Sequence, residues 1–197
     1  MSNSHQAEPP TSYFRLTVEQ YHELVRIGVL TPEDRCELIE GQVVEKATQS
    51  PMHACVSGCL GDFLFRTLPT GLRARTRLPI TLARSEPEPD LAVVRGGRRT
   101  FSDRHPGAAD TLLVIEVADI ELDFDRTVKG RVYAANGIPV YWILNMEERI
   151  VEVYTDPNPT ATPAEYATRT DYAVGQSVPL VLDGTAVALL PVADLMT

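Results

Sequence analysis

Cysteine is scarce in this chain: Cys36, Cys55 and Cys59 are the three in 197 residues, too few for a disulfide framework or a pair of zinc-ligand clusters. Cys55 and Cys59 stand four apart in a segment that reads as a helix, where small buried thiols are the plainer account. Long apolar runs are missing as well. No stretch approaches the roughly 18 apolar residues of a membrane-spanning helix, and MSNSHQAEPP has neither the basic nor the apolar region of a signal peptide. The expectation is a cytoplasmic protein. Positive charge is also in short supply, with 18 Lys and Arg against 27 Asp and Glu for a net charge of -9. That balance argues against a broad, uniformly basic nucleic-acid surface, because phosphate binding relies on clustered cations. A glycine-rich phosphate loop of either nucleotide-binding type is absent.

What remains is the composition of an ordinary globular protein, 44% hydrophobic and 23% charged, long enough for one domain with a sizeable core. Residues 1–16 read as a flexible arm and 17–197 as a single domain. Half of the 18 cations fall in one central stretch, Arg66, Arg73, Arg75, Arg77, Arg84, Arg95, Arg98, Arg99 and Arg104. A solvated edge and a local nucleic-acid strip are both compatible with that clustering.

Thr17 and Gln20 form a capping-box pattern ahead of Tyr21, Leu24, Val25 and Ile27, with Gly28 as a stop. CELIEGQVVEKA alternates and breaks at Glu40 and Gly41, predicting two short strands around a turn. Ser50 and Pro51 open a second helix with the stripe Val56, Leu60, Phe63, Leu64 and Leu68. Residues 72–83 read as one extended strand, DLAVV as a short one, and TLLVIEVA as the most apolar of all. A third helix, carried by Leu122, Val128, Val132 and Ala135, ends at Asn136 and Gly137. IPVYWILN and RIVEVYT follow as strands, and about 164–197 as a β extension. Helices do not separate nearly every pair of strands, so the class is α/β with a mixed sheet rather than a regular doubly wound fold.

One residue is out of place in this pattern. Glu116 sits inside the apolar run LLVIEVAD, and strand alternation puts it on the face of Leu112, Val114 and Ala118. A carboxylate left unpaired there costs roughly several kcal/mol, so a cation should face it. Asp90, which opens the preceding strand after Pro89, can be brought beside it. Two neighbouring carboxylates stay ionised together when a divalent ion such as magnesium or manganese accepts both. Water on such an ion is a nucleophile suited to phosphodiester hydrolysis. Lys129 lies on the next helix, with Asp125 one turn before it and Tyr133 one turn after it. Taken singly, Asp125 and Lys129 read better as a surface ion pair, Asp90 equally well as a turn or cap residue, and Glu116 less well as a buried partner of an arginine than as a metal ligand.

CELIEGQVVEKATQSPMH, EPEPDLAVV, LLVIEVAD, DRTVKGRVYAANGIPVYWILN and VEVY together resemble the Uma-two family of restriction-endonuclease-like proteins, found mainly in bacteria and part of the PD-(D/E)XK nuclease superfamily. The resemblance runs from about Thr17 to about Tyr154. It implies an αβββαβ core around a mixed sheet flanked by helices. Asp90 then stands for the aspartate of the PD element and Glu116 for the second acid. Ala118 occupies the position two residues later where a lysine is expected, and Lys129 takes that role from the following helix. Glu37 matches an acidic position that completes the metal site, with Glu40 as its rival, and His53 matches a recurrent histidine.

The leading expectation is therefore a magnesium- or manganese-dependent endonuclease acting on DNA, a homodimer being the common arrangement for cutting two strands. The rival is a non-catalytic module of the same fold that binds a protein or nucleic-acid partner. A hydrolase of another phosphate compound is a third reading, which the same ligands would support.

Overall fold

The computed structural model describes residues 13–97 and 99–196. Most of the expected N-terminal arm, residues 1–12, and Arg98 of the arginine stretch lie outside the described residues. No described helix is long and apolar enough to cross a membrane.

Helix α1 (Val18–Arg26) starts as its capping box predicts. The Thr17 hydroxyl accepts the Gln20 N–H at 3.2 Å and the Gln20 side-chain oxygen accepts the Thr17 N–H at 2.9 Å, closing two backbone donors at once. Its apolar stripe is narrower than expected: Val18 and Tyr21 are buried, whereas Val25 and Ile27 are exposed. Strands β1 (Cys36–Ile39) and β2 (Gln42–Glu45) form the expected hairpin, and Glu40 and Gly41 both take positive φ at its turn. Helix α2 (Pro51–Thr67) is capped by Ser50, whose hydroxyl accepts the His53 N–H at 3.1 Å. It buries Val56, Leu60 and Leu64 and leaves Cys55 and Cys59 exposed, so those thiols are not core residues.

Strands β3 (Leu72–Thr76), β4 (Leu91–Arg95) and β5 (Thr111–Ala118) follow. β3 is shorter than the predicted 72–83. Arg77 turns to φ 49°, Pro79 has no N–H to donate, and Thr81 instead donates its N–H to Pro106 at 2.8 Å. After β5 the chain is helical from α3 (Leu122–Phe124) through a π turn (Asp125–Lys129) into α4 (Gly130–Ala135), where an unbroken α-helix was expected. β6 (Val140–Asn145) completes an αβββαβ succession beginning with α2.

The main sheet has the order β3-β4-β5-β6-β7-β8, with β7 (Ile150–Asn158) and β8 (Glu165–Ala173) as an added hairpin. The β5/β6 pair is parallel and the other neighbours are antiparallel, which makes the sheet mixed. A parallel pair needs a crossover, and α3 through α4 supply it. β9 (Ser177–Leu182) and β10 (Thr185–Pro191) pair only with each other. The expected C-terminal extension thus divides: β8 joins the sheet, and β9 and β10 form a ribbon on its α2 side.

Alternation along the strands gives the sheet two apolar faces. On one, Leu91, Val93, Leu113, Ile115, Val117, Trp142 and Leu144 pack with α2 and the β9/β10 ribbon. On the other, Ala92, Val94, Val114, Tyr141 and Ile143 pack with Val132 and Tyr133 of α4. Leu112 departs from the expected face and joins the first cluster, because pairing between β4 and β5 slips between Val93 and Val94.

Candidate active site

Glu116 is buried on the α4 side of β5, and two side chains meet its outer oxygen. The Tyr133 hydroxyl donates to Oε1 at 2.7 Å, and Lys129 Nζ lies 3.0 Å from the same atom. Asp90 sits in the fork beyond the last β4/β5 pair, Leu91 with Ile115. Its Oδ2 accepts the Val117 N–H at 2.9 Å and lies 3.0 Å from His53 Nε2, while its Oδ1 accepts Gln49 Nε2 at 3.0 Å. The Asp90 N–H points to Glu116 Oε2 at 3.4 Å. Adjacent strands and the first turn of α2 thus gather Asp90, Glu116 and His53 in one place.

Lys129 comes from the π turn, which closes when the Gly130 N–H bonds to the Asp125 carbonyl five residues back. Such turns insert an extra residue and re-aim side chains, often at functional sites. The Lys129 ammonium has Glu116 at 3.0 Å, Glu37 Oε1 at 3.5 Å and Asp125 Oδ1 at 3.7 Å. Lys129 is 8% exposed and Asp125 4%, so this is a buried cluster and not a surface pair. Glu37 is held by the Glu88 N–H, which donates to its Oε2 at 2.9 Å. Glu40 lies apart at the hairpin turn, where its Oε2 accepts from Arg131 at 2.6 Å.

Glu37, His53, Asp90, Glu116, Asp125 and Lys129 border a cavity of about 70 Å³ together with Lys46, Gln49, Glu88, Asp119 and Glu121. Burial, together with the crowding of carboxyl groups, dominates its electrostatics. Burial, reinforced by Asp125, Asp90 and Glu37, raises the Glu116 carboxyl to about 8 despite the opposing pull of Lys129. Burial likewise lifts Asp125 to about 7. Burial alone would lower Lys129, but Glu116, Glu37 and Asp125 outweigh it and hold the amine well above its ordinary range. Tyr133 is raised by burial and by Glu116, so it donates and does not ionise.

The donor chemistry suits a hard divalent cation. Asp90, Glu116, Glu37 and Asp125 supply oxygen, one lysine does not balance four carboxyl groups, and the buried Gln49 Oε1 in the cavity wall has no hydrogen-bond partner. Among the described residues no group of three or more His, Cys, Asp or Glu side chains is placed to hold a metal ion together. Magnesium binds through one or two carboxylates and keeps several waters, so two carboxylates beside an open cavity meet its requirements.

Gln49, Lys46 and Glu88 belong to this site and were not singled out from the sequence. Gln49 reaches Asp90 across 41 residues, and nothing local in TQSP marks that contact. Lys46 and Glu88 form an ion pair at the cavity wall, and their opposite charges give the only sequence signal.

Comparison with other proteins bears on the fold and on the family. No curated protein matches the chain. A crystal structure described as a "putative nuclease belonging to DUF820", from Anabaena variabilis, is similar with a TM-score of 0.68 at 19% identity, covering 92% of this chain and 97% of that one. The Uma2 family, described as "Putative restriction endonuclease", matches residues 18–189. That span runs from α1 into β10 and includes every side chain of the acidic cavity, and the chain belongs to the Uma2 family.

Proposed function

We propose that the chain is a divalent-metal-dependent endonuclease that hydrolyses DNA phosphodiester bonds at the cavity between β4, β5 and the π turn. The observation that carries this reading is the convergence of Lys129 on Glu116, with Asp90 hydrogen-bonded beside them. Asp90 and Glu116 would hold magnesium or manganese, and His53 and Gln49 fix the Asp90 carboxylate for that purpose. When bound, the ion would lower the pKa of a water and offset the charge that develops on the phosphate oxygens.

The chain's own groups have distinct parts. Lys129 is held as an ammonium, so it cannot take the proton of the attacking water; it donates a hydrogen bond to that water or to a phosphate oxygen and orients it. Glu37 and Asp125 keep the ammonium charged and in place. Tyr133 orients Glu116. Purified protein with magnesium or manganese should cut single-stranded, duplex or branched DNA, and Asp90→Ala should not. An absence of cutting in all three, or full activity in Asp90→Ala, defeats the reading.

A second reading has its own support. Both oxygens of Asp90 already have partners and Lys129 already faces Glu116, so the site is held together by the chain's own groups. On this reading the chain is a binding module without catalysis. Calorimetry with manganese separates the two: binding that disappears in Glu116→Gln favours the enzyme, and no binding favours the module.

A further inference from the structure

The arginine-rich stretch of the sequence divides between the two sides of the sheet. Arg95 pairs with Leu72, whose side chain packs on the α2 side, and its guanidinium is engaged by Asp183 at 2.6 Å. Arg73 and Arg75 stand opposite Val94 and Ala92, and Ala92 stands opposite Val114, so both arginines lie on the face that carries Glu116. Arg77, one residue past β3 where the chain turns to φ 49°, lines a cavity with Asp90, and its N–H donates to the Asp90 carbonyl at 3.1 Å. Alternate positions of an extended strand repeat about every 6.7 Å. The row runs along the sheet edge toward Asp90.

Among the described residues these cations form no ion pair, in a chain with a net charge of -9. Arg26, Arg95, Arg104, Arg126, Arg131 and Arg169 each hold a carboxylate, whereas among the described residues none lies within ion-pair distance of Arg73, Arg75 or Arg77. Arg75 Nε is buried without a hydrogen-bond partner. Its guanidinium lies 5.7 Å from the centre of the Phe101 ring, which Arg104 also approaches at 5.1 Å, so the aromatic face holds it in position. Burial, and then the charge of Arg73, lower the pKa of Arg75. A cavity of about 240 Å³ lined by Arg35, Lys46, Gln49, Arg77, Glu88 and Asp90 adjoins the acidic one, with which it shares Lys46, Gln49, Glu88 and Asp90. Unpaired guanidinium groups gathered against their own repulsion, on the catalytic face, match an anionic polymer in charge and spacing.

We propose that Arg73, Arg75 and Arg77 form the track that binds the phosphodiester backbone of a nucleic-acid strand and leads it to Asp90. This rests on the nuclease reading above and adds where the substrate lies.

The test measures binding by fluorescence anisotropy, in a Glu116→Gln background that prevents cutting, with labelled single-stranded DNA, duplex DNA and RNA over a range of salt. Replacing Arg73 and Arg77 together by alanine should weaken binding about ten-fold or more and reduce the slope of log affinity against log salt by about 2. Arg95→Ala, which removes one of the same charges from the opposite face, should leave affinity and slope nearly unchanged. The preferred strand identifies which polymer the track takes. Equal binding by the Arg73/Arg77 variant, or an equal loss in Arg95→Ala, overturns the track. If the unsubstituted protein still cuts DNA in that case, the nuclease reading survives alone. If it neither binds nor cuts any of the three polymers, both are lost.

Discussion

Lys129 Nζ and Glu116 Oε1 face each other at 3.0 Å across the gap between the π turn and β5, both residues being buried. The pair joins stability to chemistry, because the same ammonium that faces the buried strand carboxyl is the group proposed to orient water. Lys129→Met should therefore act on both. Glu116, Glu37 and Asp125 lose their shared cation, and breaking a buried pair from one side costs roughly 3–5 kcal/mol. Chemical denaturation would show this loss, and cleavage should fall to background even where the variant is fully folded. A variant of unchanged stability would mean that water already screens the cluster.

The raised carboxyl groups predict how metal-free protein responds to pH. Glu116 moves from 4.5 to about 8 and Asp125 from 3.8 to about 7. Both keep their protons to higher pH in the folded chain than in the unfolded one. The stability they confer is complete below their ordinary range and is lost as pH rises through about 7 and 8. Denaturation with chelator present should show stability falling between pH 5 and 9, and Glu116→Gln should flatten that slope. A stability that rises with pH in this window contradicts the arrangement.

Metal should reverse the trend, since a cation favours the ionised carboxylates. Manganese binding near neutral pH should release protons, tighten as pH rises, and raise the melting temperature most at alkaline pH. Calorimetry in two buffers of different ionisation enthalpy counts those protons. Asp90→Asn and Glu116→Gln should each abolish the heat of binding.

Tyr133→Phe removes the hydroxyl that donates to Glu116 at 2.7 Å. One buried carboxylate oxygen then loses a partner, and stability should drop by about 1–3 kcal/mol. The loss should shrink when manganese is present, because the ion offers the same oxygen another partner. Thermal melting of the variant with and without metal measures both quantities.

Local signals in the chain were read correctly where local chemistry decides the outcome. The Thr17 and Ser50 caps, the Glu40 and Gly41 turn and the isolation of Glu116 in β5 all follow from neighbours in sequence, whereas the αβββαβ core comes from the family resemblance. Lys129 is singled out by its place on the helix after the Glu116 strand, and the family resemblance gives it the role of the missing lysine; its approach to Glu116 itself depends on the crossover. The π turn was not legible, because inserting one residue leaves the apolar periodicity of a short helix almost unchanged. β8 falls within the β extension expected over about 164–197, but its place in the main sheet is not legible, because EYATRTDYA is mostly exposed and carries little apolar alternation. Gln49 was missed because its partner is brought near only by the finished sheet.

Trp142, the single tryptophan of the chain, lies fully buried in β6 on the α2 side of the sheet, whereas Tyr133 and Tyr141 belong to the opposite side. Intrinsic fluorescence excited at the indole therefore reports the layer built from α2 and the β9/β10 ribbon and is blind to the acidic cavity. An optical melting curve that loses its blue-shifted emission late, while metal affinity vanishes early, would reveal that the two layers come apart in sequence.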